Sequence, residues 1–436
     1  MVPASKSHTI RRLFIATLAN GVSELIHPLD SLDTRSCVSV CQALGAEITE
    51  QNHSWMVQQR NGRYGITAGP RSSHNSETND FVDQRSKICN VGNSGTTLFF
   101  GLAAAALRAE PTEFDGDVQI RRRTAGPLLE ALIGLGASVK SAPSGCAPVT
   151  IRGPWKGGRV SLSCLTSQYL SALLLAAPMA PAGVVTEIDV PLLNERPYVE
   201  MTLSYLDSQS IAYETEPAFS YFRIPGGSTW KPVSGPVPAD FSSAAFPAAA
   251  AVISEGNVTL LGLDPDDIQG DKIFFSFLEK MGCLVQWKQT LYEWQLKISR
   301  QGPLRGGEFD LGNTPDLLPA MAAIACFAQG DTALINVASA RIKETDRIAV
   351  MGKELRKLGI KTSERHDALI IHGLGLNQAK NRIEGSLKVD GHLDHRITMA
   401  LACAALGCSS PVEIAGAESA EVSYSGFWEM LEAGLL

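Results

Sequence analysis

The chain has 436 residues, of which 44% are hydrophobic and 19% are charged, with 39 glycines and 23 prolines. This ordinary globular composition excludes a disordered, collagenous or coiled-coil protein, and the length allows two or three domains with large cores. The formal net charge is −7 at pH 7, so we expect no broad basic surface for nucleic acid.

Cysteine usage and apolar stretches bear on the compartment of the protein. Nine cysteines without CxxC or His-rich spacing indicate reduced thiols, so we expect a cytoplasmic protein. The longest apolar stretch, residues 172–185, contains Pro178 and Pro181 and is too short to span a bilayer. The first twelve residues have no long apolar core behind their charges, so we expect no secretory signal.

In chain order, a small polar cluster followed directly by an Ala- or Leu-rich helical run occurs six times. The predicted helix starts are Ser5, Asn93, Thr166, Asp240, Thr314 and Asp394. A second helix follows most of these runs and ends near a glycine, as expected for a left-handed helix end, before a strand begins. The pattern therefore predicts six units of roughly 75 residues, each strand–helix–strand–helix–strand.

Three units on each side of a hinge is the natural division of such a chain. The Pro/Gly/Ser-rich stretch 226–238 lies between the third and fourth units and is typical of a boundary. We therefore expect an α/β protein with an N-terminal lobe, residues 1–236, and a C-terminal lobe, residues 237–436. The sixth unit lacks the strand that should follow Gly434, and the first helix begins almost at once, so one N-terminal strand is expected to be missing.

The predicted helix starts also suggest a function. Helix N-termini carry unpaired N–H groups and a partial positive charge, so six convergent starts would suit a highly anionic ligand. Basic residues lie near several starts, and arginine and lysine bind carboxylate and phosphate well, although each could equally be a solvated surface group. These basic residues are Lys6, Arg11, Arg121, Arg122, Arg123, Lys343, Arg347 and Arg396.

Three carboxylates are candidates for proton transfer, namely Asp316, Glu344 and Asp346. Proton transfer needs carboxylates whose pKa values are set apart by their surroundings, and each of these is close in sequence to a cation or a helix start. Each also fits a structural role as a cap or an ion-pair partner. Glu344 and Arg347, three residues apart, form an ordinary helical ion-pair pattern.

Other chemistries lack their motifs. GxxxxGK[ST], GxGxxG and GxSxG are absent from the sequence, which argues against P-loop, dinucleotide-binding and serine-hydrolase sites. His8 and His395 have no partners at metal-ligand spacing, so we expect no metal site. We expect His395 to hold its turn through a hydrogen bond, and Cys146 has no evident histidine partner for nucleophilic catalysis.

Eight segments together resemble the enolpyruvyl transferase family, in the form that acts on shikimate 3-phosphate. They are SKSHTIR, GNSGTT, TSQYLSALL, RPY, DFSSAAF, PDLLPAMA, RIKETDR and DHRITMA, and they follow the family's order along nearly the whole chain. The resemblance implies two inside-out α/β barrel lobes of three repeats each, closing on substrate. It also implies transfer of the carboxyvinyl group of phosphoenolpyruvate to the 5-hydroxyl of shikimate 3-phosphate through a tetrahedral adduct, in aromatic amino acid biosynthesis, without metal or cofactor.

The resemblance implies roles for individual residues. Asp316 would be the base for the 5-hydroxyl and Glu344 the proton donor to the methylene carbon, with Lys6 assisting. Ser7 and Arg11 would hold the shikimate carboxylate. The residues implied to bind phosphoenolpyruvate are Lys6, Asn93, Gly95, Arg123, Gln168, Arg347 and Arg396. The residues implied to bind shikimate 3-phosphate are Ser7, Arg11, Thr166, Ser167, Gln168, Tyr198, Asp316, Ser339 and Lys343, of which Thr166, Ser167 and Lys343 would hold the 3-phosphate.

Five positions depart from the family's pattern. Phe99 stands where most members have arginine, and Thr124 replaces a proline, which is expected to loosen that turn. Val422 occupies a position that is lysine in many members. Glu195 and Ser339 replace residues that are often serine and asparagine in the shikimate pocket. These departures bear on affinity and inhibitor response more than on the reaction.

The expected partners are the two small-molecule substrates. Gly95 leaves room for the inhibitor glyphosate beside phosphoenolpyruvate, although Val422 puts sensitivity to it in doubt. We expect a monomer that binds neither nucleic acid nor a membrane.

Two alternatives stay open. The family member that acts on UDP-N-acetylglucosamine usually has a cysteine five residues before the equivalent of Arg123, where this chain has Val118. The other alternative is a non-catalytic anion-binding protein of the same fold, which the missing strand and Phe99 favour. Binding alone, however, does not need Asp316 and Glu344.

Overall fold

The structure is a computed structural model in which residues 1–60, 87–375 and 387–434 are described. Most of the predicted helical runs are helices there. The α-helices in these ranges are α1 Lys6–Leu18, α2 Leu32–Ala43, α3 Gly95–Ala105, α4 Gly126–Gly134, α5 Ser167–Ala176, α6 Arg196–Ser208, α7 Phe241–Ile253, α8 Ile273–Lys280, α9 Leu318–Ala325, α10 Arg347–Lys357, α11 His395–Ala405 and α12 Phe427–Ala433.

Short strands separate these helices. In the first half of the chain they are β1 Val22–Ile26, β2 Ala46–Gln51, β3 Ser54–Gln59, β4 Lys87–Asn90, β5 Thr112–Asp115, β6 Ser138–Ser141, β7 Val149–Arg152, β8 Gly158–Ser161, β9 Val185–Asp189, β10 Glu214–Thr215, β11 Tyr221–Pro225 and β12 Gly235–Pro236. In the second half they are β13 Asn257–Leu261, β14 Cys283–Gln289, β15 Trp294–Arg300, β16 Glu308–Asp310, β17 Gln329–Ile335, β18 Lys361–Arg365, β19 Ala368–Leu374, β20 Leu387–Asp390 and β21 Val412–Ala415.

Four of the sheets share one arrangement. In the sheet β4-β5-β7-β6, β4 runs parallel to β5, and β5, β7 and β6 are antiparallel in turn. The same order and directions occur in β12-β1-β3-β2, β8-β9-β11-β10 and β16-β17-β19-β18. In the described ranges, β13-β15-β14 has the antiparallel part alone and β20-β21 the parallel pair alone.

The sheets therefore repeat along the chain, with one difference from the predicted unit. After its second helix a complete unit has a hairpin of two strands, such as β6 and β7, instead of the single strand that the sequence pattern suggested. In the sequence, the second strand of each hairpin is marked only by its length and by its alternating side chains. No separate motif distinguishes it from the first strand. The arrangement of the sheets as inside-out barrels stays a prediction.

Most of the helices that come first in their units, such as α3, α5, α7 and α9, are apolar nearly all round, and this composition places them in the interior. In α3, ten of the eleven residues are buried, and α7 has one residue of thirteen that is not. Their many alanines and glycines allow close approach, so α3 packs against α5, and α11 packs against α7 and α9. Only the N-terminal ends of such helices can present polar groups to a ligand.

Buried apolar side chains form two clusters. One lies within residues 10–237, and the other combines Val2 with residues 239–431. We propose that these clusters are the cores of the two lobes predicted at residues 1–236 and 237–436.

The beginning of the chain lies beside the segment that joins the two clusters. Ser5 N donates to Pro238 O at 2.7 Å. Lys6 N donates at 2.9 Å to Oδ2 of Asp240, the residue that caps α7. The first helix of each half of the chain therefore begins at the same place.

Within the described ranges, no helix combines the length and apolar character needed to cross a bilayer. The longest, α1, α6 and α7, have 13 residues each, whereas a span needs about 20. All nine cysteines lie in the described ranges, and none forms a disulfide.

Candidate active site

Side chains from both halves of the chain line one small cavity at the helix starts. Its volume is about 40 Å³. The lining residues are Lys6, Ser7, Arg11, Asp33, Gly95, Thr96, Arg123, Ser167, Gln168, Glu195, Tyr198, Asp316, Lys343, Glu344 and Arg396. Five cations from distant parts of the sequence therefore meet here with several carboxylates, as the expectation of a shared anion site requires.

Local capping chemistry explains why the helices start at these points. Four of the predicted starts are N-caps whose side chains accept a backbone hydrogen bond, namely Ser5, Thr166, Asp240 and Asp394. At the second start the cap is Ser94 instead of Asn93. At the fifth, Thr314 precedes a short 3-10 turn, Pro315–Leu317, and its side chain makes no capping bond.

Arg347 is the centre of an ion-pair network in the second half of the chain. Its side chain is 1% exposed and lies 2.7 Å from Asp316 Oδ1, 2.6 Å from Glu344 Oε2 and 2.9 Å from Asp394 Oδ2. Burial alone would lower the pKa of Arg347, but the three carboxylates outweigh it and raise that pKa. The guanidinium therefore stays charged and fixes the two candidate proton-transfer groups, Asp316 and Glu344.

Asp316 lies where further cations converge. Arg396 Nη2 is 3.4 Å from its Oδ2, and Lys343 Nζ is 3.9 Å from its Oδ1. Burial raises the pKa of Asp316, but Arg396, Lys343 and Arg347 together hold it well below its usual range. The carboxylate is therefore ionised at neutral pH and can accept a proton.

Glu344 receives a cation from each half of the chain. Besides Arg347, Arg123 Nη1 lies 3.4 Å from its Oε1. Burial raises the pKa of Glu344, and Arg347 and then Arg123 lower it well below its usual range. Without a ligand on these arginines, Glu344 is ionised and has no proton to give.

Arg123 can reach Glu344 because Gly95 has no side chain in the space that the guanidinium occupies. A Cβ at Gly95 would lie 2.6 Å from the Arg123 guanidinium, so a side chain there would displace the guanidinium. On its other side the guanidinium carbon is 5.9 Å from the ring centroid of Phe99, a weak cation–π contact. Phe99 is itself buried, with its ring centroid 4.9 Å from that of Tyr169. The position expected to be arginine thus supports Arg123 by packing.

Asp33 is a cavity residue that the sequence analysis missed. Its Oδ2 lies 3.0 Å from Lys6 Nζ, and burial raises its pKa while Lys6 opposes that rise. A signal for it exists, because Ser31 and Thr34 form the capping box that starts α2, and Asp33 is in its first turn. The prediction followed only the first helix of each unit, whereas α2 is the second.

Arg11 is buried against neutral oxygens. It donates to Thr202 Oγ1 at 2.9 Å and to the carbonyl oxygen of Tyr198 at 2.8 Å. Burial lowers the pKa of Arg11 to about 10, so it is still charged at neutral pH. The Tyr198 hydroxyl in turn donates at 2.7 Å to Asp271 of the second half. Burial, followed by the charge of Asp316, raises the pKa of Asp271 to about 7.

The three residues predicted to hold a phosphate group converge on Glu195. Its Oε2 accepts from Thr166 Oγ1 at 3.1 Å, from Ser167 N at 3.3 Å and from Ser167 Oγ at 3.0 Å. Lys343 Nζ donates to the other carboxylate oxygen, Oε1. Glu195 is 2% exposed, so its carboxylate is fully enclosed by these donors.

Comparison with known proteins agrees with this geometry. Residues 1–431 match the family model described as EPSP synthase (3-phosphoshikimate 1-carboxyvinyltransferase). The chain belongs to the EPSP synthase family. This membership confirms the resemblance found in the sequence and favours the branch that acts on shikimate 3-phosphate over the branch that acts on UDP-N-acetylglucosamine.

Individual relatives support the family assignment. A 3-phosphoshikimate 1-carboxyvinyltransferase of Acetivibrio thermocellus is 43% identical over 431 residues, which cover 99% of this chain and 94% of the relative. One of Methanocella arvoryzae is 38% identical over 428 residues, covering 98% and 93%. The EPSP synthase structure from Acinetobacter baumannii has a TM-score of 0.76 at 25% identity, covering 99% of this chain and 94% of that chain. The α/β fold of the family is therefore confirmed.

Four of the residues expected to bind substrate from the EPSP synthase resemblance are not among those that line the described cavity. They are Asn93, Thr166, Ser339 and Arg347. Thr166 and Arg347 adjoin it through the contacts given above. Asn93 donates to Asp117 Oδ2 at 2.7 Å and also to Gln119, and Ser339 is buried in the 3-10 helix Ala338–Ile342. The substrate contacts of Asn93 and Ser339 stay predictions.

One smaller expectation is wrong. His395 does not hold its turn through a hydrogen bond, since neither ring nitrogen has a partner in the described structure. Burial, and then the charge of Lys6, lowers the pKa of His395 well below its usual range. The Thr124 hydroxyl donates to Ser144 O at 2.6 Å and accepts from Gly126 N at 3.0 Å, and the looser turn expected from the loss of proline stays a prediction.

Proposed function

We propose that this protein transfers the enolpyruvyl group of phosphoenolpyruvate to the 5-hydroxyl of shikimate 3-phosphate and releases phosphate, a step of aromatic amino acid biosynthesis. Both substrates carry a phosphate and a carboxylate, so a site for the pair needs several cations in an enclosed space. The observation that carries the proposal is the cavity in which Asp316 and Glu344 meet five cations, namely Lys6, Arg11, Arg123, Lys343 and Arg396. Family membership and the names of the relatives support the same reaction.

Each substrate would use a different part of this cavity. Phosphoenolpyruvate would bind to Lys6, Arg123 and Arg396, with Arg347 behind them, and Gln168 donating from the start of α5. Shikimate 3-phosphate would place its carboxylate near Arg11 and Ser7 and its 5-hydroxyl near Asp316. This division puts the reacting hydroxyl beside the only cavity-lining carboxylate that faces Lys343, Arg347 and Arg396 together in the described structure.

The addition step needs one proton acceptor and one proton donor. Asp316 takes the proton of the 5-hydroxyl while that oxygen bonds to C2 of phosphoenolpyruvate. Glu344 gives a proton to C3, which becomes a methyl group in the tetrahedral adduct. In the elimination step the methyl group returns a proton to the Glu344 carboxylate as the bond between C2 and the phosphate oxygen breaks. The leaving phosphate, which takes up negative charge, would be stabilised by Lys6 and Arg123.

Glu344 becomes a proton donor only when its surroundings change. Arg347 and Arg123 keep it ionised in the structure. An anionic substrate on these arginines shares their positive charge, and its own negative charge lies close to Glu344. Both effects raise the pKa of Glu344. Substrate binding would therefore let Glu344 take up the proton that it later gives to C3.

The test is release of inorganic phosphate by the purified protein. Phosphate should appear with shikimate 3-phosphate and phosphoenolpyruvate together, and with neither substrate alone. No release above background from the pair would contradict the proposal and favour a non-catalytic anion-binding protein. Release with UDP-N-acetylglucosamine in place of shikimate 3-phosphate would assign the chain to the other branch of the enolpyruvyl transferases.

We also propose that the enzyme is a cytoplasmic monomer and that glyphosate competes with phosphoenolpyruvate beside Gly95. The absence of disulfides among its nine cysteines supports a reducing compartment. Glyphosate, like phosphoenolpyruvate, carries a phosphorus oxyanion and a carboxylate, and the space beside Gly95 is where Arg123 would meet such groups.

A further inference from the structure

The pocket expected to hold the 3-phosphate already contains an anion of the chain itself. A backbone N–H at a helix start, two hydroxyls and a lysine are the donors with which proteins bind phosphate. Here Thr166, Ser167 and Lys343 supply all of them to the Glu195 carboxylate. Glu195 therefore takes the hydrogen bonds that a phosphate group would take at the start of α5.

The backbone of Glu195 is strained in a way that the hydrogen bonds of its carboxylate offset. Glu195 precedes the first residue of α6, and its φ of 58° and ψ of 43° lie in the left-handed region. A residue with a side chain adopts this conformation at a cost of roughly 1 kcal/mol or more. The four hydrogen bonds of the carboxylate offset that cost and direct the side chain toward Lys343, which lies 148 positions further along the chain.

A substrate phosphate and this carboxylate exclude one another. A phosphate monoester carries nearly two negative charges at neutral pH, and a second anion on the same lysine would repel it in an enclosed site. The carboxylate must leave its donors before the 3-phosphate can bind to them.

We propose that Glu195 is a specificity-determining residue, an internal anion that occupies the 3-phosphate position and competes with the substrate for it. The inference rests on the proposed function and adds a property to it. The carboxylate lowers the affinity for shikimate 3-phosphate, because binding must first break its contacts with Lys343 and Ser167. Unphosphorylated shikimate can bind with Glu195 in place. The carboxylate therefore reduces the ratio by which the enzyme prefers shikimate 3-phosphate to shikimate.

The test compares Glu195→Ser and Glu195→Gln with the unchanged enzyme. The serine variant shortens the side chain and removes the carboxylate, whereas the glutamine variant keeps the shape and removes the negative charge that faces Lys343. Glu200→Gln is the matched control, because Glu200 lies in α6, the helix that Glu195 precedes. Its side chain is partly exposed, pairs with Arg196 at 2.9 Å and does not line the cavity. Binding of shikimate 3-phosphate is measured by calorimetry, and KM and kcat are measured for both substrates.

We expect both Glu195 variants to bind shikimate 3-phosphate at least about tenfold more tightly, since a competing anion is gone. The KM for shikimate 3-phosphate should fall with it, while the KM for phosphoenolpyruvate and kcat stay near their original values. The ratio of kcat/KM for shikimate 3-phosphate to that for shikimate should rise by a similar factor. Glu200→Gln should change none of these quantities. If the serine variant does not fold, the glutamine variant decides.

Equal or weaker binding of shikimate 3-phosphate by folded Glu195 variants would overturn the inference, because Glu195 would then only support the pocket. That result leaves the proposed function standing as long as the unchanged enzyme releases phosphate from the two substrates. Tighter binding by the variants supports the inference even if turnover is absent, since calorimetry needs no reaction. No binding of shikimate 3-phosphate by any of the proteins would overturn both proposals.

Discussion

Two buried arginines, one from each half of the chain, show that the two halves of the site are built differently. Arg11, in the first half, donates to neutral oxygens of Thr202 and Tyr198, and burial lowers its pKa to about 10. Arg347, in the second half, donates to three carboxylates, which outweigh burial and raise its pKa.

The difference separates proton transfer from recognition. In the second half, positive and negative charges are balanced within the protein, so Asp316 and Glu344 are held in fixed positions and ionised before a substrate arrives. In the first half, Arg11 keeps a charge that its hydrogen-bond partners do not neutralise. Such a buried cation gains from the arrival of a substrate carboxylate.

The largest effect is expected for Glu344→Gln. The amide keeps the size of the side chain and can still accept a hydrogen bond from Arg347, but it cannot take up and release a proton. We expect kcat to fall at least about a hundredfold, as for loss of a general acid, with the KM of both substrates changed by less than about threefold. Steady-state kinetics with both substrates varied measures the two quantities separately.

The matched control is Glu364→Gln, because Glu364 pairs with Arg341 at 2.9 Å and is 37% exposed. It should leave both kcat and KM unchanged. If Glu344→Gln raised KM and left kcat nearly intact, Glu344 would be a binding residue. The distinction between a proton-transfer half and a recognition half would then be lost.

The sequence predicted most reliably what local chemistry decides. Ser5, Thr166 and Asp394 were identified as helix starts because their side chains cap the helices that follow, which depends on three or four neighbouring residues. The resemblance to the enolpyruvyl transferases brought together distant residues that no local pattern could join. Among the cavity residues, Asp33 was missed although a capping box marks the start of its helix.

Contacts between distant residues account for what the sequence could not show. Glu195 was noted as a departure, but its pairing with Lys343 depends on a left-handed backbone and on the meeting of two halves of the chain. His395 was expected to hold its turn through a hydrogen bond, but its ring nitrogens are buried without a partner in the described structure, which is uncommon. Its surroundings depend on packing that no nearby residue reveals.

Arg347→Lys should have the next largest effect, on stability. A lysine supplies one point charge where the guanidinium donates to three carboxylates, so at least one buried carboxylate loses its partner. We expect the free energy of unfolding to fall by about 3 kcal/mol, the usual cost of breaking a buried ion pair. Equilibrium denaturation in urea measures it.

Arg35→Lys is the control for that change. Arg35 also binds two carboxylates, Asp30 and Glu50, but its side chain is 40% exposed, so the substitution should cost less than about 1 kcal/mol. Equal losses for the two variants would mean that burial does not distinguish the networks. The ion-pair network around Arg347 would then contribute no more to the free energy of unfolding than an exposed network does.

The smallest effect concerns Asp271, where the two halves meet. Its Oδ2 accepts from the Tyr198 hydroxyl, and burial raises its pKa to about 7, whereas an unfolded aspartate has a pKa near 3.9. The folded state therefore holds a proton that the unfolded state has lost. Asp271 therefore contributes its full share of folding stability below about pH 4, where it is protonated in both states. This contribution is lost as the pH rises to about 7. Asparagine does not titrate, so Asp271→Asn does not lose stability in this way as the pH rises.

The melting temperature of Asp271→Asn, relative to that of the unchanged protein, should therefore increase by a few degrees between pH 5 and pH 8, which corresponds to at most about 3 kcal/mol. Taking the difference between the two proteins at each pH cancels the titration of all other groups. Asp266→Asn, at an exposed position in the loop before Asp271, should show no such trend.

A difference that stays constant with pH would mean that Asp271 is ionised throughout. Tyr198 would then join the two halves through a charged carboxylate, and the charge compensation found around Arg347 would extend to the recognition side.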